Sequence, residues 1–206
     1  MVQLLLPYLD LNQDLVLGGD EKFEDGKDEQ RKKKGELHKH STALEIKKYI
    51  GEEEWNKFFV FAFVRNPFAR AVSLYEWWKQ TPWKGKDNIK EKIEKMSFEE
   101  FLDGGEDVLG KPMVHFLTSK KEKEFYSEFS INVEVDYVGK LEDVWGSTAY
   151  ICGRLGMPHL QPLHKNETKK KKEILMYYEP KPLNQSHHKV RSIFREDFKT
   201  FDYDEK

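Results

Sequence analysis

Arg65 and Ser73 carry the strongest chemical suggestion in this chain. They lie in the stretch Lys57 to Trp78, KFFVFAFVRNPFARAVSLYEWW, which changes character at its middle. A guanidinium can grip a phosphate through two N–H groups at once, and a hydroxyl on the following helix can add a further hydrogen bond. The pair therefore suits a monoester phosphate. Each residue also has an ordinary alternative, Arg65 pairing with an acid and Ser73 facing a neighbouring helix. The elements that must position them are legible nearby. Phe58 to Val64 is a short apolar run bounded by polar residues and reads as a buried strand. Asn66 suits an N-cap, Pro67 the first helical position, and apolar residues recur at Phe68, Val72 and Tyr75, so a helix starts there. Strand, turn and helix N-terminus make a cradle in which backbone N–H groups and the helix dipole attract an anion.

Composition sets the frame. With 206 residues, 38% hydrophobic, 14% aromatic and 35% charged, there is apolar material for one substantial core, so residues 1–206 read as a single domain. The net charge of -2, from 35 basic and 37 acidic residues, gives no overall field for nucleic acid, and any anion site must be local. The one cysteine, Cys152, excludes an internal disulfide and a cysteine metal cluster, and its neighbours make it a buried thiol on a helix face. No apolar run reaches the roughly 18 residues of a membrane span, and the opening MVQLLLPYLDL has no basic region ahead of it.

The rest of the chain reads as alternating elements. Val2 to Leu9 looks like the end of an amphipathic helix, and residues 18–35 form a polar, charged, mobile loop. A helix follows His40, capped by Ser41 or Thr42 with Glu45 as the capping-box acid, and Gly51 ends it. Short helices are expected over Asn88 to Lys95 and Ser97 to Leu102, the latter with Ser97 and Glu100 as a capping box. Lys111 to Thr118 is either helix or extended. Val133 to Gly139 alternates like a half-buried strand, Leu141 to Leu155 like the helix after it, and Ser186 to Phe201 like one last helix. Strands alternating with helices imply an α/β domain with a mainly parallel sheet flanked by helices.

In order, Arg65, Asn66, Pro67, Arg70, Ser73 and Tyr75 spell R-N-P-x-x-R-x-x-S-x-Y after an aromatic strand. This resembles the 3′-phosphate-binding motif of sulfotransferases that use 3′-phosphoadenosine 5′-phosphosulfate (PAPS), in particular the carbohydrate-type branch. The resemblance extends back to KHSTALEIKKYIG and forward through YVGKLEDV, LHKNETKKKK and DFKTFDY, and so covers the chain from about Leu37 onward. It implies a nucleotide-binding fold like that of P-loop kinases, and transfer of a sulfuryl group to a hydroxyl, commonly on a sugar, with PAPS as co-substrate and no metal. A P-loop kinase itself is disfavoured, since no G-x-x-x-x-G-K-[ST] is present.

Further roles follow from the resemblance. Arg65 and Ser73 become nucleotide ligands, joined by Lys165 and Asn166 in a loop whose family counterpart approaches the nucleotide. His40 is the favoured base or substrate contact, because imidazole titrates near neutrality, with His38, His115 and His164 as rivals. Trp77, Trp78 and Trp83 could form a platform for sugar rings, although aromatics on such a helix belong more often to a core. The family opens with a strand and a glycine-containing loop whose Lys cradles the 5′-phosphosulfate, and no match to them precedes Val2. The expected fold is thus N-terminally shortened and its turnover weakened, with a non-catalytic nucleotide- or glycan-binding module as the alternative. Cysteine usage fits a soluble, cytoplasmic chain, while animal relatives of the family are anchored in Golgi membranes.

Overall fold

The computed structural model describes residues 37, 40–80, 87–104, 109–118, 133–162, 174–178 and 185–205. The expected helix at Val2 to Leu9 and the loop at 18–35 lie outside them. The described residues fall into two compact units. One comprises residues up to Phe63, those within Val114–Gly139, and those from Asp143 to Pro162; the other comprises Val64–Met113, Lys140–Glu142 and the residues from Ile174 onward.

In the first unit, α1 (Ala43–Ile50) starts on a capping box. Thr42 takes the N–H of Glu45 on its hydroxyl while the Glu45 carboxylate takes the N–H of Thr42, and Gly51 closes the helix at φ 91°. A four-residue helix, α2 (Glu52–Trp55), leads to β1 (Phe61–Val64). The strand is shorter than the apolar run and lies only half-buried, with Val64 alone fully inside and Phe58 59% exposed. The reason lies in its partner, β2 (Tyr137–Lys140), which forms with β1 a two-stranded parallel sheet. At Val60 the pairing becomes mixed: its carbonyl still accepts the N–H groups of Asp136 and Tyr137, at 2.8 and 3.2 Å, while its own N–H goes to the Asp136 carboxylate at 2.8 Å. Val133 to Asp136 is correspondingly not strand. Phe59 is covered by the Tyr150 ring and the Arg154 guanidinium rather than by another sheet.

Two further helices belong to this unit. Lys111 to Thr118 resolves as α6 (Met113–Leu117), and after a 3₁₀ turn over Leu141–Asp143 comes α7 (Val144–Arg154), capped by Asp143. Gly139 in β2 must be glycine. A Cβ there would stand 2.9 Å from both the Phe63 ring and the Ser147 Cβ. Cys152 is buried, as its neighbours imply.

The second unit is helical. It contains α3 (Pro67–Gln80), α4 (Asp87–Lys95), α5 (Phe98–Leu102, capped by the Ser97–Glu100 box), a 3₁₀ turn at Ile174–Tyr177, α8 (Gln185–Ile193) and α9 (Arg195–Thr200). The helix expected over Ser186 to Phe201 is therefore two. Phe194 departs from helical backbone at φ -110°, ψ 26°, and the following Asp197 is completely buried, tied to the chain elsewhere. The core is aromatic: Phe68, Val72 and Tyr75 of α3 meet Phe98 and Phe101 of α5, Phe194, Phe198 and Tyr178. Tyr178 also donates to the Phe68 carbonyl at 2.9 Å. This packing fixes α3 and hence the residues at its start.

Candidate anion site at the start of α3

Arg65 and Asn66 link β1 to α3, and the local sequence dictates how. Asn66 caps the helix, its Oδ1 accepting from the N–H of Phe68 at 2.9 Å and of Ala69 at 3.4 Å. Pro67 has no N–H to satisfy there. The N–H of Asn66 itself donates to Glu142 Oε1 at 2.8 Å, and that of Arg65 to the Met113 sulfur at 3.4 Å. The open backbone cradle expected from the sequence is thus filled by the protein's own side chains. A capping amide and a carboxylate satisfy the donors that an anion would have used. What remains for a ligand is side chains.

Those side chains are Arg65 and Ser73, both half-buried. Among the described residues, neither the Arg65 guanidinium nor the Ser73 hydroxyl has a hydrogen-bond or ion-pair partner. Ser73 lies seven positions after Asn66, which puts them on one face of α3 about 10 Å apart along its axis. Side chains on a helix tilt toward its N-terminus, so Ser73 leans toward the end where Arg65 stands.

Arg70, of the same type and in the same motif, does the opposite. Its Nη2 donates to the carbonyls of Leu109 at 3.2 Å and Lys111 at 2.8 Å, and its guanidinium lies 4.7 Å over the Phe194 ring. Nη1 is buried without a hydrogen-bond partner, 3.9 Å from Asp197 Oδ2, which accepts from the Met113 N–H at 2.8 Å. Burial pulls the Arg70 pKa below its ordinary value, with Asp197 acting against the shift. Arg70 is therefore a structural cation.

Glu142 is a residue that the sequence alone does not single out. Besides the Asn66 N–H it takes the Tyr203 hydroxyl on Oε2 at 3.0 Å. Tyr203 lies beneath the Lys140 ammonium, 4.5 Å from it, and Lys140 donates to the Asp202 carbonyl at 3.2 Å. Burial, and then the Glu142 carboxylate, push the Tyr203 phenol above its usual pKa. Three segments that carry the resemblance, R-N-P, K-L-E and F-D-Y, thus meet at one turn. A family model, described as the sulfotransferase family, matches residues 15–204. The chain belongs to the sulfotransferase family. No curated protein and no solved structure matches it.

The other sequence-predicted residues of this sulfotransferase-family chain are placed unequally. His40 is exposed at the turn before Thr42, in the first unit, and is engaged in an interaction there. Lys165 and Asn166 lie outside the described residues, as do His38, His164 and Trp83. Trp78 packs against the core while Trp77 is exposed, the two rings meeting edge to face. Among the described residues, no cluster of three His, Cys, Asp or Glu could hold a metal ion, and no helix is long and apolar enough to cross a membrane.

Proposed function

We propose that this chain transfers a sulfuryl group from PAPS to a hydroxyl, that of a carbohydrate, and that Arg65 and Ser73 hold the nucleotide's 3′-phosphate. The observation that carries this reading is the Arg65 guanidinium, without a partner among the described residues, on a turn whose backbone donors are already satisfied. A half-buried cation without a counter-ion suits a dianionic phosphate, and the Ser73 hydroxyl can donate to the same group. We read residues 1–206 as one catalytic domain of P-loop-kinase-like type, a reading supported by a family match that runs over residues 15–204.

The co-substrate supplies the activated sulfuryl group on a phosphate leaving group. In the transfer, the bond from sulfur to the nucleotide's phosphate oxygen breaks while one forms to the acceptor oxygen, whose proton goes to a base. Arg65 and Ser73 act by fixing the nucleotide for in-line displacement, and His40 takes the acceptor proton. Lys165 and Asn166 add nucleotide contacts.

Calorimetry with 3′-phosphoadenosine 5′-phosphate tests the binding step. Saturable binding that Arg65→Ala weakens about ten- to a hundredfold is expected; absent binding, or binding indifferent to that substitution, would overturn the proposal. A radiolabelled sulfate-transfer assay with carbohydrate acceptors then tests turnover. Binding without transfer to any of them would identify a nucleotide-binding module instead.

A further inference from the structure

We infer that Glu142 is a positioning residue for Arg65, setting the preference of this site for a 3′-phosphorylated nucleotide. The inference rests on the proposed role of Arg65. A peptide bond is planar, so the group that holds the Asn66 N–H also fixes the plane that leaves Arg65. Glu142 Oε1 holds that N–H at 2.8 Å, and the Met113 sulfur holds the preceding one at 3.4 Å. Both peptides flanking Arg65 are therefore pinned while its guanidinium has no protein partner among the described residues. A fixed backbone beneath an uncommitted head is the arrangement of a preorganised ligand-binding side chain.

Glu142 is an exposed residue, and an exposed carboxylate is ordinarily left to water. Here its second oxygen is held by the Tyr203 hydroxyl at 3.0 Å, and Tyr203 is in turn covered by Lys140. The carboxylate is aimed from both sides. Its charge itself opposes an anionic ligand close by, so its benefit must come through geometry. Reach and charge can therefore be separated by substitution.

Glu142→Gln keeps an oxygen at the same reach and removes the charge; Glu142→Asp keeps the charge and withdraws the oxygen by one methylene. Calorimetry would compare 3′-phosphoadenosine 5′-phosphate with adenosine 5′-monophosphate, and the readout is the ratio of their affinities. Glu142→Asp is expected to lower that ratio about tenfold, by losing a hydrogen bond to a charged group, with adenosine 5′-monophosphate affinity unchanged. Glu142→Gln should retain the ratio of the unsubstituted protein. Tyr203→Phe, which frees only the second oxygen, should lower it about two- to threefold. A ratio unchanged in Glu142→Asp, or falling equally in Glu142→Gln, would overturn the inference. Absence of any preference in the unsubstituted protein would instead sink the reading of Arg65 on which it rests. A purely structural role would lower the melting temperature and leave the ratio alone.

Discussion

Among the described residues two strand-to-helix junctions occur, and they use their cations differently. After β1, Arg65 stands at the turn while other side chains do the holding: Asn66 caps the helix, Glu142 takes the turn's N–H, and Arg70 ties α3 to the Leu109–Lys111 segment. At the end of β2, Lys140 itself is the tie, spent on the Asp202 carbonyl and the Tyr203 ring. The second junction is also capped, by Asp143 on the Gly146 N–H at 3.1 Å. A basic residue at the end of a strand is thus no indication of a binding site by itself. The informative observation is whether its structural work has been taken over by neighbours.

The comparison can be broken most severely at Arg70. Arg70→Ala takes the guanidinium away from the buried Asp197 and the donor away from two carbonyls, so urea denaturation should show a loss of about 3–5 kcal/mol. Nucleotide affinity should fall only as far as the folded fraction does. Arg65→Ala should behave in reverse. Calorimetry should show about 1.5–3 kcal/mol lost from nucleotide binding, with an unchanged denaturation midpoint, because the guanidinium has no hydrogen-bond or ion-pair partner among the described residues. Next comes Asn66→Ala, which uncaps α3 and should cost about 1 kcal/mol in stability, with Asn66→Asp largely restoring it by thermal melting. Smallest is Lys140→Ala, where loss of an accessible cation–π contact and of the exposed hydrogen bond to the Asp202 carbonyl should cost about 0.5–1 kcal/mol and leave nucleotide affinity close to that of the unsubstituted protein. If Lys140→Ala weakened binding as much as Arg65→Ala, the contrast between the junctions would collapse.

What the sequence made legible was local. The cap at Asn66, Pro67 at the first helical position and both capping boxes lie within a few residues of the helices they start, and the structure has them there. Strand length was not legible from the Phe58–Val64 run, because it is set by where β2 pairs and where the Asp136 carboxylate takes the Val60 N–H, more than 70 residues away. The break at Phe194 was hidden for a similar reason. Val190, Phe194 and Phe198 keep a four-residue spacing across it, and the N–H groups of Phe194 and Phe198 still donate to carbonyls four residues back. No Gly or Pro marks the interruption. At the candidate anion site, residue types proposed Arg65 and Ser73, but nothing near Asn66 in the chain announces that a glutamate will occupy its N–H. For the same reason Arg65 and Arg70 could not be told apart by motif alone. Their difference lies in the carbonyls and the carboxylate that distant segments bring to Arg70.

The Glu142 contact also bears on how the protein is made. Glu142 lies 76 positions after Asn66, and Tyr203 a further 61 after Glu142. On a ribosome, Arg65 emerges long before either of the residues that shape its turn, and α3 can cap itself while the turn still waits. A nascent chain halted between them would carry the arginine without its final setting, so the turn around Arg65 is completed late in synthesis.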